Sequence, residues 1–395
     1  MKEKYILDPV YKEYISIYRD FKPLIDNFIF QRLRFIKQLG VCFFIFPGGN
    51  HTRFEHALGS YYLASLFLNF LEKKGVKIEK EEKLACLLAS LFHDLGHGPF
   101  SHALEKMFLD LSHEKITLRL LSYLNIPQDI KNIMYRLFTK TYEKEFLSSL
   151  ISSQTDVDRF DYLYRDSYYL GIPYGIIDIQ KLIKEVEVED NKLVWNKKAF
   201  YALENYLFAR YQMYYLVYFH PKNISLEVLL RKIIKRIKEL ILDGNKNFPT
   251  PLIKIFKEGR VEDFLKLTDA TIVSIIYEKA FSSKDTILKD LCLRFINRNL
   301  FKTKEIELSN ISEIEKIKEL LKKKNLDLNY YFEIVKTHRQ AYSYYIPEGR
   351  DLILIKDNNK LIEISLYAPT DAIKSLTRKV EKYYLVYPKE IENTI

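Results

Sequence analysis

The sequence predicts a mainly α-helical bundle with a small β-hairpin insertion and a small α+β appendage at its C-terminal end. Three observations predict it. Apolar residues recur at helical spacing through most of residues 11–325. One stretch, 185–195, alternates apolar and polar instead. After about residue 326 the helical period gives way to short β-like runs.

Within the helical part, Glu81–Leu95 places apolar residues at 84, 85, 87, 88, 91, 92 and 95, one helix face and more. EVEVEDNKLVW at 185–195 turns at Asp190-Asn191, which is hairpin chemistry. Helix resumes near Lys197 and runs to His220-Pro221. Ser225–Asp243 repeats the helical period with Lys and Arg on its other face, and Gly244 follows as a stop. In the tail, Tyr330–Val335, Leu352–Lys356, Leu361–Tyr367 and Tyr383–Tyr387 read as strands. Asp357-Asn358-Asn359 reads as a turn and Ala368–Lys379 as a helix.

Composition narrows the function classes. With 395 residues and 48% hydrophobic content, the chain can bury a large core. The longest apolar run, Leu84–Phe92, is far short of the ~20 residues a membrane span needs. MKEKYILDP has no signal-peptide core. The expectation is a soluble, cytoplasmic protein with no membrane partner. Cys42, Cys86 and Cys292 form no CxxC pair, so they read as buried thiols rather than disulfides or a zinc ribbon. The net charge of +10 favours anionic partners without choosing among them, and nucleic acid is open but not expected. The 30 tyrosines and 26 phenylalanines suit core and interface packing.

Ligand-type residues gather in one half. Six of the eight histidines lie between His51 and His113, and nine of the 12 glycines between Gly40 and Gly175. His56, His93, Asp94 and Asp158 stand out as imidazole and carboxylate donors suited to Zn²⁺, Fe²⁺ or Mn²⁺. Adjacent residues on one helix point about 100° apart, so His93 and Asp94 can converge on one ion only near a helix end. Gly96 supplies that end. In HDLGHGPFSH, His97 and His102 flank a Gly98-Pro99 turn. Asp158, Tyr162 and Asp166 are spaced by four on one helix face, with Arg159 and Arg165 nearby. That stripe suits a ligand with a sugar, a ring and phosphates.

HTRFEHALG, LFHDLGHGPFSH and DVDRFDYLYRDSYYLGIPYG, in that order, resemble the HD superfamily. Within it the chain is similar to the deoxynucleoside triphosphate triphosphohydrolases, the dGTPase-like enzymes. The resemblance spans roughly Asp8 to His220. It implies an HD-domain helical bundle over 1–325, with its core at 50–220, and an appendage at 326–395. It implies one Fe, Zn or Mn ion on His56, His93, Asp94 and Asp158, with Mg²⁺ accompanying the substrate triphosphate as an option. It implies a catalytic set of His97, His102 and His113 together with Asp158, with His102 expected as the general acid toward the departing sugar 5′-oxygen. Arg53, Arg159 and Arg210 match triphosphate-binding positions. Gln38, Tyr162 and Asp166 match contacts to the 3′-hydroxyl, and Leu39 and Tyr218 match the wall that crowds the 2′ carbon. Phe219 departs from the pattern beside the base, so base preference does not carry over.

A regulatory resemblance lies upstream. Asp26, Gln31 and Arg34 in IDNFIFQRLRFIKQLG, with Phe46, match an activating guanine-nucleotide site. Leu7 replaces a polar residue of that site, and the same motif also suits a scaffold or dimer interface. A homo-oligomer, dimer or tetramer, is expected. The leading expectation is hydrolysis of a dNTP to a deoxynucleoside and inorganic triphosphate. The rivals are an HD phosphohydrolase acting on nucleoside monophosphates or cyclic nucleotides, and a nucleotide-sensing protein that binds nucleic acid.

Overall fold

The computed structural model describes residues 4–307, 309–339, 351–376 and 380–394. Four helices and the loop after the second of them position the expected ligands and catalytic histidines. The Arg53–Lys73 helix opens with the Glu55 carboxylate accepting from the Thr52 backbone N–H, which satisfies an otherwise orphaned donor and sets His56 in the first turn. The Lys80–Phe92 helix is buried from Ala85 to Phe92 on every side, as its unbroken apolar run requires.

That second helix ends at Phe92, three residues before the expected Leu95. The cause is competition for its last backbone groups. Thr117 Oγ1 donates to the His93 carbonyl at 3.0 Å and accepts from Gly96 N–H at 2.9 Å. The buried Arg32 guanidinium donates to the carbonyls of Leu95 (2.9 Å) and His97 (2.6 Å). A further helical turn would need those groups. Gly96 is dictated by approach: a Cβ there would stand 1.9 Å from the His113 carbonyl oxygen. His113 opens the third helix, His113–Leu120.

Asp156 caps the fourth helix, Val157–Leu170. Its carboxylate accepts from the N–H groups of Arg159 and Ser153, both at 2.8 Å, and Gly171 (φ +66°) closes the other end. This helix lies against the Arg53–Lys73 helix at Gly59. A fifth helix, Phe200–Met213, widens into a π turn at Tyr214–Tyr218 before Pro221–Leu242 begins.

The β structure is larger than expected. Lys4–Asp8 (β1) and Glu13–Ile17 (β2) form an antiparallel hairpin where the helical pattern was expected to begin. The signal is present in hindsight: Ile15 and Ile17 alternate inward, and the Asp8 carboxylate accepts from Val10 and Tyr11 N–H to make the turn. Val186–Glu189 (β3) and Lys192–Asn196 (β4) pair as expected, with Asp190 and Asn191 left-handed at the turn. Phe301–Ile306 (β5) also corrects a helical expectation.

The tail strands are Glu333–Arg339 (β6), Leu354–Asp357 (β7), Lys360–Glu363 (β8) and Val380–Pro388 (β9). β9 lies between β5 and β6, so one sheet joins segments on both sides of residue 326. β7 pairs in parallel with β4 through Trp195 and Ile355. One tail strand starts later than expected and another ends earlier, because side chains start helical turns. Asp327 caps Leu328–Tyr331, and Glu363 caps Ile364–Tyr367. Of the helix expected at Ala368–Lys379, Ala372–Leu376 is helical and 377–379 lie outside the described residues. The three cysteines are buried and unpaired. No described helix is long and apolar enough to cross a membrane.

Gly59→Ala tests the helix contact that seats His56. The new Cβ would meet Asp161 Oδ1 at 1.9 Å and Arg165 Nη2 at 2.3 Å. A loss of about 2–4 kcal/mol in urea unfolding is expected from overpacking and a broken buried pair. An unchanged midpoint would refute the close contact.

Candidate functional site

The four expected ligands converge. His56 Nε2 lies 3.1 Å from His93 Nε2, 3.0 Å from Asp158 Oδ1 and 3.7 Å from Asp94 Oδ2. His93 Nε2 lies 3.3 Å from Asp94 Oδ1 and 3.5 Å from Asp158 Oδ1. The outer ring nitrogens fix the inner ones. His56 Nδ1 donates to Asp161 at 2.7 Å, and His93 Nδ1 donates to the Ser90 carbonyl at 2.8 Å. Each ring therefore turns an Nε2 lone pair inward. Two imidazole lone pairs and two carboxylates facing one another form an acceptor-only set, which a divalent cation satisfies.

The electrostatics agree with that donor set. Burial opposes charge on His56, yet the bonds to Asp158 and Asp161 push its imidazole up to about 10. Burial likewise opposes charge on Asp158, but bonds from His56 and His93 hold it far below the usual carboxylate range. Asp94 follows the same pattern, with Arg53 Nη1 at 2.6 Å as its chief counter-charge. Positive charge is strongly favoured at this point. The mixed N/O set fits Fe, Zn or Mn and does not choose among them.

Beside the quartet stand the three further histidines. His97 stacks on His113 with centroids 4.0 Å apart, and His102 meets them edge-on at 4.9 and 5.3 Å. Glu105, which the sequence reading missed, joins two of them. Its carboxylate oxygens lie 3.2 Å from His102 Nδ1 and 2.8 Å from His113 Nδ1. The bond from His102 is the chief reason that the Glu105 carboxyl lies far below its usual range. A Glu three residues after His102 was the available signal. Burial and the Arg53 charge hold the His97 imidazole well below its ordinary value, so it stays neutral. The His102 side chain is 65% exposed and lines the adjoining cavity. Phe100 (φ +55°) and Ser101 (φ +51°), both left-handed, bring the chain to it.

The cavity measures about 690 Å³, within the range of small-molecule sites. Gln38, Leu39, Tyr162, Asp166 and Tyr218 all line it, as do Arg53 and Arg159. Asp166 is gripped from two sides, by His51 Nε2 at 2.7 Å and by the Tyr218 hydroxyl at 2.8 Å. The sequence reading did not single out His51. Gln38 Oε1, the Tyr162 hydroxyl and Asn223 Oδ1 are buried with no hydrogen-bond partner among the described residues. Such atoms call for a ligand or water. Arg210 is placed differently: it donates to Gln154 at 2.6 Å and is not on the cavity wall. Arg165 is fully buried, paired with Asp161 and Asp8 rather than facing the cavity.

The expected activator residues are only partly grouped. Gln31 Oε1 accepts from Arg34 Nε at 2.8 Å, and the Arg34 guanidinium sits 3.5 Å over the Phe54 ring. The exposed Asp26 faces Lys4 at 3.9 Å, and Phe46 packs edge-on against His220.

Comparison with known proteins fits this geometry. The HD domain family matches residues 53–166, and the HD associated region matches 177–329. YwfO of Bacillus subtilis is 37% identical over 99% of this chain and 93% of its own length. The chain belongs to the HD-domain family. Human deoxynucleoside triphosphate triphosphohydrolase SAMHD1 is 29% identical, covering 76% of this chain and 54% of that one. A crystal structure of a phosphohydrolase from Bacteroides thetaiotaomicron superposes with a TM-score of 0.88 at 33% identity, covering 98% of this chain and all of that one. The HD-domain family is one of metal-binding phosphohydrolases; His56, His93, Asp94 and Asp158 all lie within the residues matched to the HD domain, and the first three offer ligand atoms close enough together to hold one ion.

Asp94→Ala removes one carboxylate and strands Arg53. Metal content of the purified protein, read by mass spectrometry after limited chelation, is expected to fall by at least about tenfold. Wild-type occupancy in this variant would remove Asp94 from the ligand set.

Proposed function

We propose that the chain is a metal-dependent hydrolase that cleaves deoxynucleoside triphosphates to a deoxynucleoside and inorganic triphosphate. One observation carries the reading. A single cavity joins His93, Asp94 and Asp158 of the ligand quartet, a Glu105-anchored histidine and a polar corner whose Gln38, Tyr162 and Asn223 atoms lack partners among the described residues. The named activity of the SAMHD1 relatives supports it.

A divalent ion on His56, His93, Asp94 and Asp158 would supply Lewis-acid polarisation of the α-phosphoryl group. The remaining work falls to side chains. Water adds to the α-phosphorus and gives up a proton to solvent, the bond to the sugar 5′-oxygen breaks with its electron pair on that oxygen, and His102 delivers a proton to it and is reprotonated from solvent. Its Nδ1 is anchored to Glu105, so Nε2 is the nitrogen left to transfer the proton. His97 and His113, stacked on each other, brace it edge-on. Gln38, Tyr162 and Asp166 take the 3′-hydroxyl, and Leu39 with Tyr218 leaves no room for a 2′-hydroxyl. Arg53 and Arg159 face the phosphates, and Arg210 joins them by exchanging Gln154 for the ligand. A guanine nucleotide at Asp26, Gln31, Arg34 and Phe46, between copies of a homo-oligomer, is the regulatory part of the same proposal.

One observation favours a smaller phosphoester as substrate: Arg210 is held by Gln154, away from the cavity wall. Incubating the metal-loaded protein with each dNTP, singly and mixed, separates the readings. Deoxynucleoside plus triphosphate is expected, and orthophosphate release instead would sink the triphosphohydrolase reading. Two variants test the residues. Leu39→Ala is expected to raise the rNTP/dNTP ratio of kcat/KM by about tenfold, the scale of a one-contact steric filter. An unchanged ratio removes Leu39 from the sugar wall. Arg210→Ala is expected to raise KM for triphosphates by about tenfold or more, a lost charge-assisted contact. An unchanged KM would favour the smaller substrate.

A further inference from the structure

Behind His56 lies a closed set of buried charges that the ligand quartet does not explain. Asp161 Oδ2 accepts from His56 Nδ1 at 2.7 Å and from Arg165 Nε at 2.8 Å. Asp161 Oδ1 accepts from the Tyr11 hydroxyl at 2.7 Å and from Arg165 Nη2 at 3.0 Å. The same Nη2 donates to Asp8 Oδ2 at 2.8 Å, while Asp8 Oδ1 accepts from Val10 and Tyr11 N–H. Asp161 and Arg165 are wholly inaccessible, and Asp8 nearly so. The turn between β1 and β2 thus reaches, through two residues, the back of a metal ligand.

This arrangement is poor as a stability device. Two carboxylates and a guanidinium lose their hydration, and packed apolar side chains of the same size would serve the fold as well. It is good at fixing direction. A carboxylate that accepted only from His56 could rotate, and the imidazole would rotate with it. Here all four acceptances are taken, two on each oxygen, so the carboxylate plane is set. The direction of His56 Nε2 follows from it. The Tyr11 ring is itself held, 5.1 Å from Tyr62 and stacked 6.1 Å from Tyr164. Burial and the Asp161 charge push its phenol well up, so it remains a donor. Gly59, one turn beyond His56, clears the space in which Asp161 and Arg165 meet.

We propose that Asp8 and Tyr11 are positioning residues of the metal centre: the N-terminal turn locks Asp161, and Asp161 aims His56 at the ion. Retention of the ion then depends on the docked N-terminal hairpin. The proposal rests on the metal-dependent reading above but not on the identity of the substrate.

The test uses the full chain, loaded with Zn²⁺ or Co²⁺. Tyr11→Phe deletes one hydroxyl, and Asp8→Asn keeps the turn's acceptor while breaking the pair with Arg165. Tyr123→Phe, which removes an exposed tyrosine–Glu262 bond, is the control. Three readouts are compared: release of the ion to a chelator, the rise in Tm from metal-free to loaded protein, and the Co²⁺ absorption bands. Both site variants are expected to release the ion about 3–10-fold faster, less than the 10–100-fold typical of a residue touching a ligand directly. Their metal-dependent Tm rise is expected to shrink and the Co²⁺ bands to move, while the control matches wild type. Equal Tm loss in metal-free and loaded forms, with release and spectrum unchanged, would overturn the proposal and leave the metal reading intact. A wild-type protein that holds no ion would overturn both.

Discussion

The structure depends on one constraint: two imidazole lone pairs and two carboxylates are forced to face each other. At 3.0–3.7 Å these groups repel one another unless something positive lies between, either protons taken up by the raised His56 and His93 imidazoles or a bound cation. The fold supplies the force that holds them. Arg32 and Thr117 end the His93 helix by taking its backbone groups, so that His93 and Asp94 turn toward one point. Asp156 starts the Asp158 helix, and Thr52 with Glu55 starts the His56 helix. Each ligand thus sits within a turn of a helix end, where backbone direction is set by capping.

Around that point the other charged groups have divided roles. Arg53 is spent on Asp94 and Ser101, which binds the ligand helix to the loop that carries His102. Its charge is also a reason why His97 stays neutral. The three clustered histidines are therefore not equivalent. His97 is buried and uncharged, His113 is half-buried between two glutamates, and His102 is exposed to the cavity with a carboxylate behind it. A proton donor has to be reachable and backed by negative charge, and of the three His102 is the most exposed, with Glu105 behind it.

The cavity brings together elements far apart in sequence. Gln38 and Leu39 come from before the first ligand helix, Tyr162 and Asp166 from the Asp158 helix, and Tyr218 and Asn223 from either side of the π turn. Val335 and Lys336 of β6 also line it, so the C-terminal part contributes to the wall and not only to the scaffold. The unbroken hydrophobic cluster from Ile15 to Ile391 holds these pieces in register.

The sequence by itself determined the helical class, the Asp190-Asn191 hairpin, the quartet His56, His93, Asp94 and Asp158, and the cavity stripe Asp158, Tyr162 and Asp166. These are legible because they rest on local rules: period, turn chemistry and residue types suited to one ion. What it did not yield are pairings across long separations. β2 and β5 lie in helical-looking sequence and become strands through partners whose positions no local pattern gives. Asp161 was not singled out from the sequence, Asp8 marked only where the family resemblance begins, and Tyr11 only where the helical pattern was expected to start. Arg165 looked like a ligand-facing cation. Only when the N-terminal turn packs behind the Asp158 helix do these four become a buried, mutually hydrogen-bonded set, whose one excess negative charge lies against His56. The physical reason is that charge pairing in a desolvated interior is decided by which groups the tertiary packing brings within about 3 Å, and sequence spacing does not encode that distance.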